Sequence, residues 1–470
     1  MMERKLNIRL LYQKVIKMKK KHTLVICLLT TFLTVKAQVE MHVILISIDG
    51  FHPDMYLDNN WPAPNLRNLM KNGTYADHML SVFPSYTYPS HTAMVTGALP
   101  ARSGINYNQP INGNRNWFWF AKDIKVPTLW QALLKVGKTT ASVEWPVSVT
   151  TQITWDLPEI WSNEHPEDRI TVAREYATPG LIDEIEKYAT GKLDTNSMRE
   201  DYLSLDEQAG RAAAYIFKTH KPAFMAVHFA CVDGKEHDDG RDADSVRLAL
   251  AASDHAIGDI LEAVERSGLK GRTAVIIVGD HGFSTIHQIF RPNMLIKNIP
   301  ATFVAAGGSA FLYRYSDTKE EDLAGIIKAV TDSLNALPKD KRKLFRIIDR
   351  KELDKMGADS AVILALSAVP GTVFSGAITK AITANNGPGT LIQQNRLDGI
   401  LIPATGGHHG YDPNTLEMFT GFIAYGAGIN KGGHIKELCV TDIAPLIAKL
   451  LGVDFKTPDG KLVPGILKAN

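Results

Sequence analysis

The stretch Ala274-Val275-Ile276-Ile277-Val278-Gly279-Asp280-His281-Gly282 is an unbroken apolar run that stops abruptly at an acid and an imidazole. Periodicity alone does not separate a buried strand from a buried helix here. The short length and the Val/Ile content predict a strand of a parallel sheet. Asp280 and His281 then stand at its carboxyl end, the edge at which open α/β sheets bind their ligands. Two further stretches repeat the design: Met41 to Asp49 (MHVILISID) and Ala223 to Asp233 (AFMAVHFACVD). Three such strands gather Asp49, Asp233 and Asp280 on one edge of one sheet. Carboxylates collected in this way repel one another unless a cation sits among them, and a divalent metal is the expected partner.

With 470 residues, 45% of them apolar and 22% charged, the chain has ordinary globular composition and enough length for a large core. The formal charge of +2 hides an asymmetry, because residues 1–37 hold nine Lys/Arg and one Glu. The remainder is mildly acidic, which argues against a basic nucleic-acid groove. Lys17, Lys19, Lys20 and Lys21 precede an apolar stretch, His22 to Val35, and Val35-Lys36-Ala37-Gln38 fits cleavage after Ala37. Residues 1–37 therefore read as a signal peptide, and the mature chain as exported, periplasmic or extracellular. An uncleaved anchor is the alternative. The apolar stretch is short for a membrane span and no later segment is longer, so no span is expected in the mature chain. Cys231 and Cys439 have apolar flanks and read as buried thiols rather than a disulfide.

Along the chain, helices are expected over Pro64–Met70, Thr92–Thr96, Trp130–Val136, Leu205–His220, Ser245–Ser267 and Thr441–Leu451, and further strands over Thr139–Val143 and Gly421–Tyr425. Residues 156 to about 200 are polar and read as surface helices. Alternation of strand and helix predicts an α/β protein with a mostly parallel central sheet covered on both faces. From about Ser284 the pattern changes, with Gly307-Gly308 and Gly387-Pro388-Gly389 turns and a Lys/Asp-rich helical stretch. The expected organisation is a core made of residues 38–283 and 401–470, with 284–400 inserted as an α+β cap.

Chemistry concentrates in a few places. Asp233-Gly-Lys-Glu-His237 sets two ligand types four residues apart, Asp280-His281 sets two side by side, and Asp49 and His409 complete a carboxylate and imidazole set suited to zinc or a similar cation. His408 competes with His409. In Phe83-Pro84-Ser85-Tyr86-Thr87-Tyr88-Pro89-Ser90-His91, two prolines hold a hydroxyl residue at a stiff bend before a helix, where free N–H groups face an anion. Ser85, Thr87 and Ser90 are the candidates, and His91 reads as a residue that positions the loop. Asn116-Trp117-Phe118-Trp119-Phe120 reads as a half-buried strand, with a stacking platform for substrate as the alternative. His228 reads as a satisfied core histidine.

Taken in order, DGF at 49, YTYPSH at 86, DGKEH at 233, GDHG at 279 and HHGYD at 408 resemble the alkaline phosphatase superfamily, and most closely its type I phosphodiesterase/nucleotide pyrophosphatase family. The resemblance covers about 43–124, 224–284 and 408–460. It implies a hydrolase of phosphodiester or pyrophosphate bonds with two divalent metal ions, zinc being expected, and a small phosphate ester or nucleotide as substrate. It implies Asp49, Asp280 and His281 as ligands of one ion with Thr87 as its nucleophile, and Asp233, His237 and His409 as ligands of the other. The Gly-Tyr after His409 matches the family pattern. Asn108 matches the phosphate-oxygen donor by spacing, with Asn106 in competition, because the family's usual histidine before that glycine is Ser103 here. A phosphomonoesterase is the nearest alternative, with Arg102 as the basic residue for the extra charge. A non-catalytic binding protein is a further one. The arginine of the sulfatase nucleophile motif is missing from Thr87-Tyr88-Pro89-Ser90-His91.

Overall fold

Strand His42–Ile48 lies at the centre of the computed structural model, which describes residues 40–111, 116–201, 203–378 and 399–469. All its side chains are buried, and they alternate between the two faces of the sheet as a period of two requires. Ile44, Ile46 and Ile48 enter one core cluster, while Val43 and Leu45 enter the other. Phe224–Phe229 and Thr273–Gly279 flank this strand in parallel, pairing Ile44 with Met225 and with Val275.

The eight-stranded sheet runs Gly433–Cys439, Thr74–Leu80, Phe422–Gly426, Thr273–Gly279, His42–Ile48, Phe224–Phe229, Thr140–Val143, Trp155–Leu157. Phe422–Gly426 is antiparallel to both of its neighbours, and the other pairings of this sheet are parallel. Helices Ser204–His220 and Asp244–Arg266 cover one face with Ile216, Phe217, Ile257 and Ile260. Thr87–Thr96, Leu129–Lys135 and Ile443–Leu451 cover the other with Met94, Leu133 and Ile447. Burial on both faces is why the central strands are apolar at every position rather than at alternate ones.

Two boundaries differ from the sequence reading, and both matter for the site. The helix expected from Thr92 begins at Thr87, so the hydroxyl sits inside the first turn instead of on a bend ahead of it. Pro89 is tolerated there because the first turn has no intrahelical use for its missing N–H. The strand expected to reach Asp233 stops at Phe229, and helix Cys231–Asp239 follows. The buried Asp206 carboxylate takes the N–H groups of Ala230 and Cys231 at 2.9 and 3.2 Å, which draws the chain out of the sheet. Asp233 therefore rises from the first turn of a helix, with His237 one turn later on the same side.

Residues 156–200, expected as surface helices, are helical only in short turns, Ala173–Tyr176, Leu181–Ile185 and Glu186–Thr190. The aromatic run 116–120 is likewise not a strand. Only Phe120 makes a bridge, to Val149, while Trp117 and Trp119 pack on Trp161 with ring centroids 5.1 and 5.3 Å apart. Ring-on-ring packing has replaced ladder pairing.

Beyond Ser284 the chain builds a four-stranded antiparallel sheet in the order Phe345–Ile348, Leu364–Ala368, Ser309–Arg314, Ala301–Ala306. Helix Leu323–Asn335 joins its cluster through Ile326, Val330 and Leu334. A smaller sheet pairs Gln288–Phe290 with Thr372–Phe374 and with Leu401–Pro403. Residues Met41–Asn470 form one compact unit. The expected signal segment and the Gly387-Pro388-Gly389 turn lie outside the described residues. Among the described residues no helix is long and apolar enough to cross a membrane, and Cys231 and Cys439 are free thiols.

Ile277 is fully buried in the strand beside the centre. Ile277→Ala should cost about 2–5 kcal/mol, the range for emptying a tightly packed core position. Denaturant unfolding measures it, and a loss under about 1 kcal/mol would contradict the packing described.

Candidate active site

The ends of two adjacent strands set Asp49 and Asp280 side by side. Gly50 turns the chain with φ 74° and donates its N–H to Asp280 Oδ1 at 3.1 Å. His281 Nε2 lies 3.2 Å from Asp49 Oδ1 and 3.1 Å from Asp280 Oδ2. From the helix, Asp233 Oδ1 comes within 3.9 Å of His281 Nε2 and 3.8 Å of His409 Nε2, and Asp233 Oδ2 within 3.4 Å of His237 Nε2. Thr87 Oγ1 is 3.4 Å from His281 Nε2. All seven residues expected around a metal thus converge from five separate elements, and Asn108 lines the same cavity.

Backbone carbonyls orient the imidazoles. Nδ1–H of His281 donates to Gly282 O at 3.2 Å, that of His237 to Gly407 O at 3.1 Å and that of His409 to Ser85 O at 2.9 Å. Each ring is left with an Nε2 lone pair facing the acids, the arrangement a metal ligand needs. His408 is different: its Nδ1 accepts the N–H of His409 at 3.0 Å, so its proton stays on Nε2. That difference favours His409 as the ligand, although donors of His237, His408 and His409 come within 4.8 Å of one another.

Asp49 and Asp280 are buried, and Asp233 opens partly on the cavity. Asp49 Oδ1, Asp233 Oδ1 and Asp280 Oδ2 are each buried without a hydrogen-bond partner. Burial, and then neighbouring negative charge, pushes all three carboxyls up, Asp280 to about 7. Burial pushes His281, His409 and His237 down, and the imidazoles beside His281 and His409 add to the fall. Acids shifted up beside bases shifted down describe a centre short of positive charge. The oxygen and nitrogen donors of Asp49, Asp280 and His281, and those of Asp233, His281 and His409, each fall within 4.8 Å of one another and fit a divalent cation.

Above this floor opens a cavity of about 660 Å³, walled by Tyr88, Tyr107, Trp117 and Trp161 and rimmed by Arg169, Glu200 and Lys235. Asn108 belongs to it and takes the Tyr88 N–H on Oδ1 at 3.0 Å, whereas Asn106 faces a separate small pocket. His91 Nδ1–H holds the Thr87 carbonyl at 2.8 Å. Arg102 is not at the site: it is 61% exposed and pairs with Asp459 at 3.0 Å.

Several residues escaped the sequence reading. His228 is the buried, satisfied histidine expected, and it also stands at the site: its Nδ1–H donates to Glu144 O at 3.0 Å and its Nε2 lies 3.1 Å from Asp49 Oδ2. A lone imidazole in an otherwise apolar run was the available signal. Glu159 lines the cavity, and burial pushes its carboxyl up to about 7 against the pull of Arg169. Arg169 lies over the Trp161 ring at 3.9 Å and pairs with Glu200 at 3.0 Å. No motif announces these.

A largely parallel sheet with carboxylates, imidazoles and one hydroxyl gathered at its carboxyl edge is the framework of an α/β hydrolase with groups that could hold a metal ion. The sequence profile of the type I phosphodiesterase / nucleotide pyrophosphatase family matches residues 43–412, and the chain belongs to that family. It is 22% identical over 423 residues to human bis(5'-adenosyl)-triphosphatase ENPP4, covering 87% of this chain and 78% of that one. It is 22% identical to venom phosphodiesterase 2 of Crotalus adamanteus, over 87% of this chain and 45% of that one. The structure of murine ectonucleotide pyrophosphatase / phosphodiesterase 5 superposes with a TM-score of 0.63 at 20% identity, covering 91% of this chain and all of that one. An inactive form of the murine protein in complex with AMP gives 0.62 over 90% and 98%. The α/β fold is thus alkaline phosphatase-like.

Asp280→Asn should relieve repulsion in chelated protein while removing a ligand. Its metal-free Tm is expected to rise by a few degrees, and the gain on adding zinc, about 2.7 kcal/mol at a hundredfold excess over Kd, should shrink. Thermal melts with chelator and with zinc measure both. An undiminished zinc gain would count against Asp280 as a ligand.

Proposed function

We propose that this chain is an exported, metal-dependent hydrolase of phosphodiester or pyrophosphate bonds acting through a phospho-threonine at Thr87. The observation that carries the reading is the placement of Thr87 Oγ1 3.4 Å from His281 Nε2, above three buried carboxylate oxygens that have no partner. Asp49, Asp280 and His281 would hold one divalent ion and Asp233, His237 and His409 a second, with zinc the ion expected from the donors. Ions bound there would supply Lewis acidity, making the threonine hydroxyl a stronger acid and offsetting the charge of the phosphoryl oxygens.

The chain's own residues do the rest. Thr87 stands on the first turn of its helix, where the positive end of the backbone dipole faces the incoming anion. His91 fixes that turn by its bond to the Thr87 carbonyl. Oγ1 attacks phosphorus in line with the departing oxygen and the ester bond breaks. Asn108, whose Oδ1 is taken by the Tyr88 N–H, offers its amide N–H groups to a nonbridging oxygen. Water then attacks the phospho-threonine from the opposite side and regenerates the hydroxyl. The basic and apolar segment before Ala37 supports export.

A phosphomonoesterase needs a free cation for the extra charge. Arg102 lies elsewhere, and the two basic residues at the cavity, Arg169 and Lys235, pair with Glu200 and Asp238. The aromatic walls suit a second ester group instead. A nucleotide fits them, in keeping with the bis(5'-adenosyl)-triphosphatase and AMP-complex relatives.

Purified protein assayed with bis-p-nitrophenyl phosphate, p-nitrophenyl phosphate and a dinucleoside polyphosphate should favour the diester over the monoester at least about tenfold in kcat/KM. A preference for the monoester would overturn the reading. Thr87→Ala should retain its metal, measured by elemental analysis, while kcat falls by about 10³-fold or more. His237→Ala should lower the occupancy of one ion only, and loss of both or of neither would refute the division of ligands.

A further inference from the structure

We propose that Tyr313, in the segment expected to cap the core, is a positioning residue for Asn108, acting through the neighbouring Tyr107; this rests on the role given to Asn108 above. Asn108 follows the short helix Pro100–Ser103 on irregular chain, where no ladder of backbone bonds holds it. Its own ties are two: Oδ1 takes the N–H of Tyr88, on the helix that carries Thr87, at 3.0 Å, and its carbonyl takes the Phe118 N–H at 3.0 Å. An amide that must meet a phosphoryl oxygen has to be held within about 0.5 Å of the productive place, and these two bonds fix its Oδ1 and its carbonyl while leaving the chain that leads into it to be held from elsewhere.

The remaining constraint comes from strand Ser309–Arg314. Tyr107 is 6% exposed, and its ring meets Phe311 edge-on with centroids 5.6 Å apart. Its hydroxyl lies 2.7 Å from that of Tyr313, which donates to Asp359 Oδ2 at 2.8 Å. A carboxylate only accepts, so the direction of the chain is set: Tyr107 donates to Tyr313, and Tyr313 to Asp359. Asp359 is itself anchored, with Oδ1 taking the Ala361 N–H at 2.9 Å and its carbonyl taking Arg350 Nη1 at 2.8 Å. Burial holds both phenols above their ordinary range, so the chain stays protonated across neutral pH. Phe311 and Tyr313 are two residues apart and share one face of their strand, so a single face supplies both the ring and the hydroxyl. A second tie runs from the Ala101 N–H to Gly357 O at 3.0 Å. The loop carrying Asn108 is therefore pinned near its start and at Tyr107 by residues 357–359 and the strand beside them. On this reading the added segment aims a donor at the phosphoryl group.

The test is a double-mutant cycle on full-length, metal-loaded protein with bis-p-nitrophenyl phosphate. Tyr313→Phe keeps the ring and strands the Tyr107 hydroxyl without its acceptor; kcat should fall about 5–20-fold while KM and metal content stay within about twofold. In the Asn108→Ala background the same substitution should change kcat less than about twofold, because the group it aims is gone. Equal losses in both backgrounds, or no loss with Asn108 present, would overturn the proposal. Should Tyr313→Phe fail to fold, Asp359→Ala takes its place in the same cycle with the same expected pattern. A full-activity Asn108→Ala would sink the role of Asn108 and this proposal with it; a slow Asn108→Ala without coupling sinks this proposal alone.

Discussion

Three carboxylates held together, two of them buried and the third only partly open to the cavity, are the constraint around which this structure is arranged. Asp49, Asp233 and Asp280 each present a buried oxygen without a partner, and burial and neighbouring charge raise their pKa values together. Nothing in the core gains from such a cluster: an apolar filling of the same volume would leave the fold more stable. The surroundings keep the acids in place without neutralising them. Gly50 donates its N–H to one oxygen of Asp280, His228 stands against Asp49, and three imidazoles are turned by backbone carbonyls so that lone pairs, not protons, face inward. An arrangement that withholds protons from clustered acids is built to receive a cation.

The parallel sheet makes that arrangement possible. Its strands are buried on both faces and registered by continuous ladders, so their carboxyl ends are rigid, and Asp49 and Asp280 follow directly on them. The other candidate ligands come from positions held almost as firmly. Asp233 and His237 share a helix that starts one residue after its strand, and the Asp206 carboxylate fixes that start. His409 sits beside the short pairing of Gly407–His408 with Ser284–Thr285. Thr87 opens a helix whose ten residues are all buried. The candidate ligands and Thr87 thus sit on regular elements or next to them, while of the aromatic walls only Tyr88 stands on a helix and Tyr107, Trp117 and Trp161 sit on irregular chain.

How much could be read from the residues follows the same division. A short, β-branched apolar run that ends in an acid is the mark of a buried strand reaching the edge of its sheet, and Asp49 and Asp280 stand where their runs predicted. The i, i+4 spacing of Asp233 and His237 was visible too, though the helix beneath it was not, because AFMAVHFACVD carries no mark of where strand gives way to helix. That mark is Asp206, far back in the chain. His228 looked like core because every position of a strand buried on both faces looks like core. Arg102 misled by nearness in sequence: its short helix points it to Asp459 and away from the cavity. Glu159, Trp161 and Arg169 lie in chain with neither period, and polarity alone suggested an exposed surface. Packing of Trp117 and Trp119 on Trp161 buried it instead.

This division has a chemical logic. Transfer of a phosphoryl group needs fixed distances between ligands, nucleophile and donor, which regular structure supplies at low cost in entropy. Recognition of whatever is esterified to the phosphate needs rings and charges that differ from one enzyme to the next, and irregular segments accommodate such change without disturbing the sheet. In the proposed role Asn108 falls between the two, a group that would have to be placed as closely as a ligand yet is carried by a loop. The bonds from Tyr107 through Tyr313 to Asp359 lend that loop the rigidity of a neighbouring antiparallel sheet. The antiparallel sheet built beyond Ser284 is thereby tied to the part of the proposed site whose geometry tolerates least change.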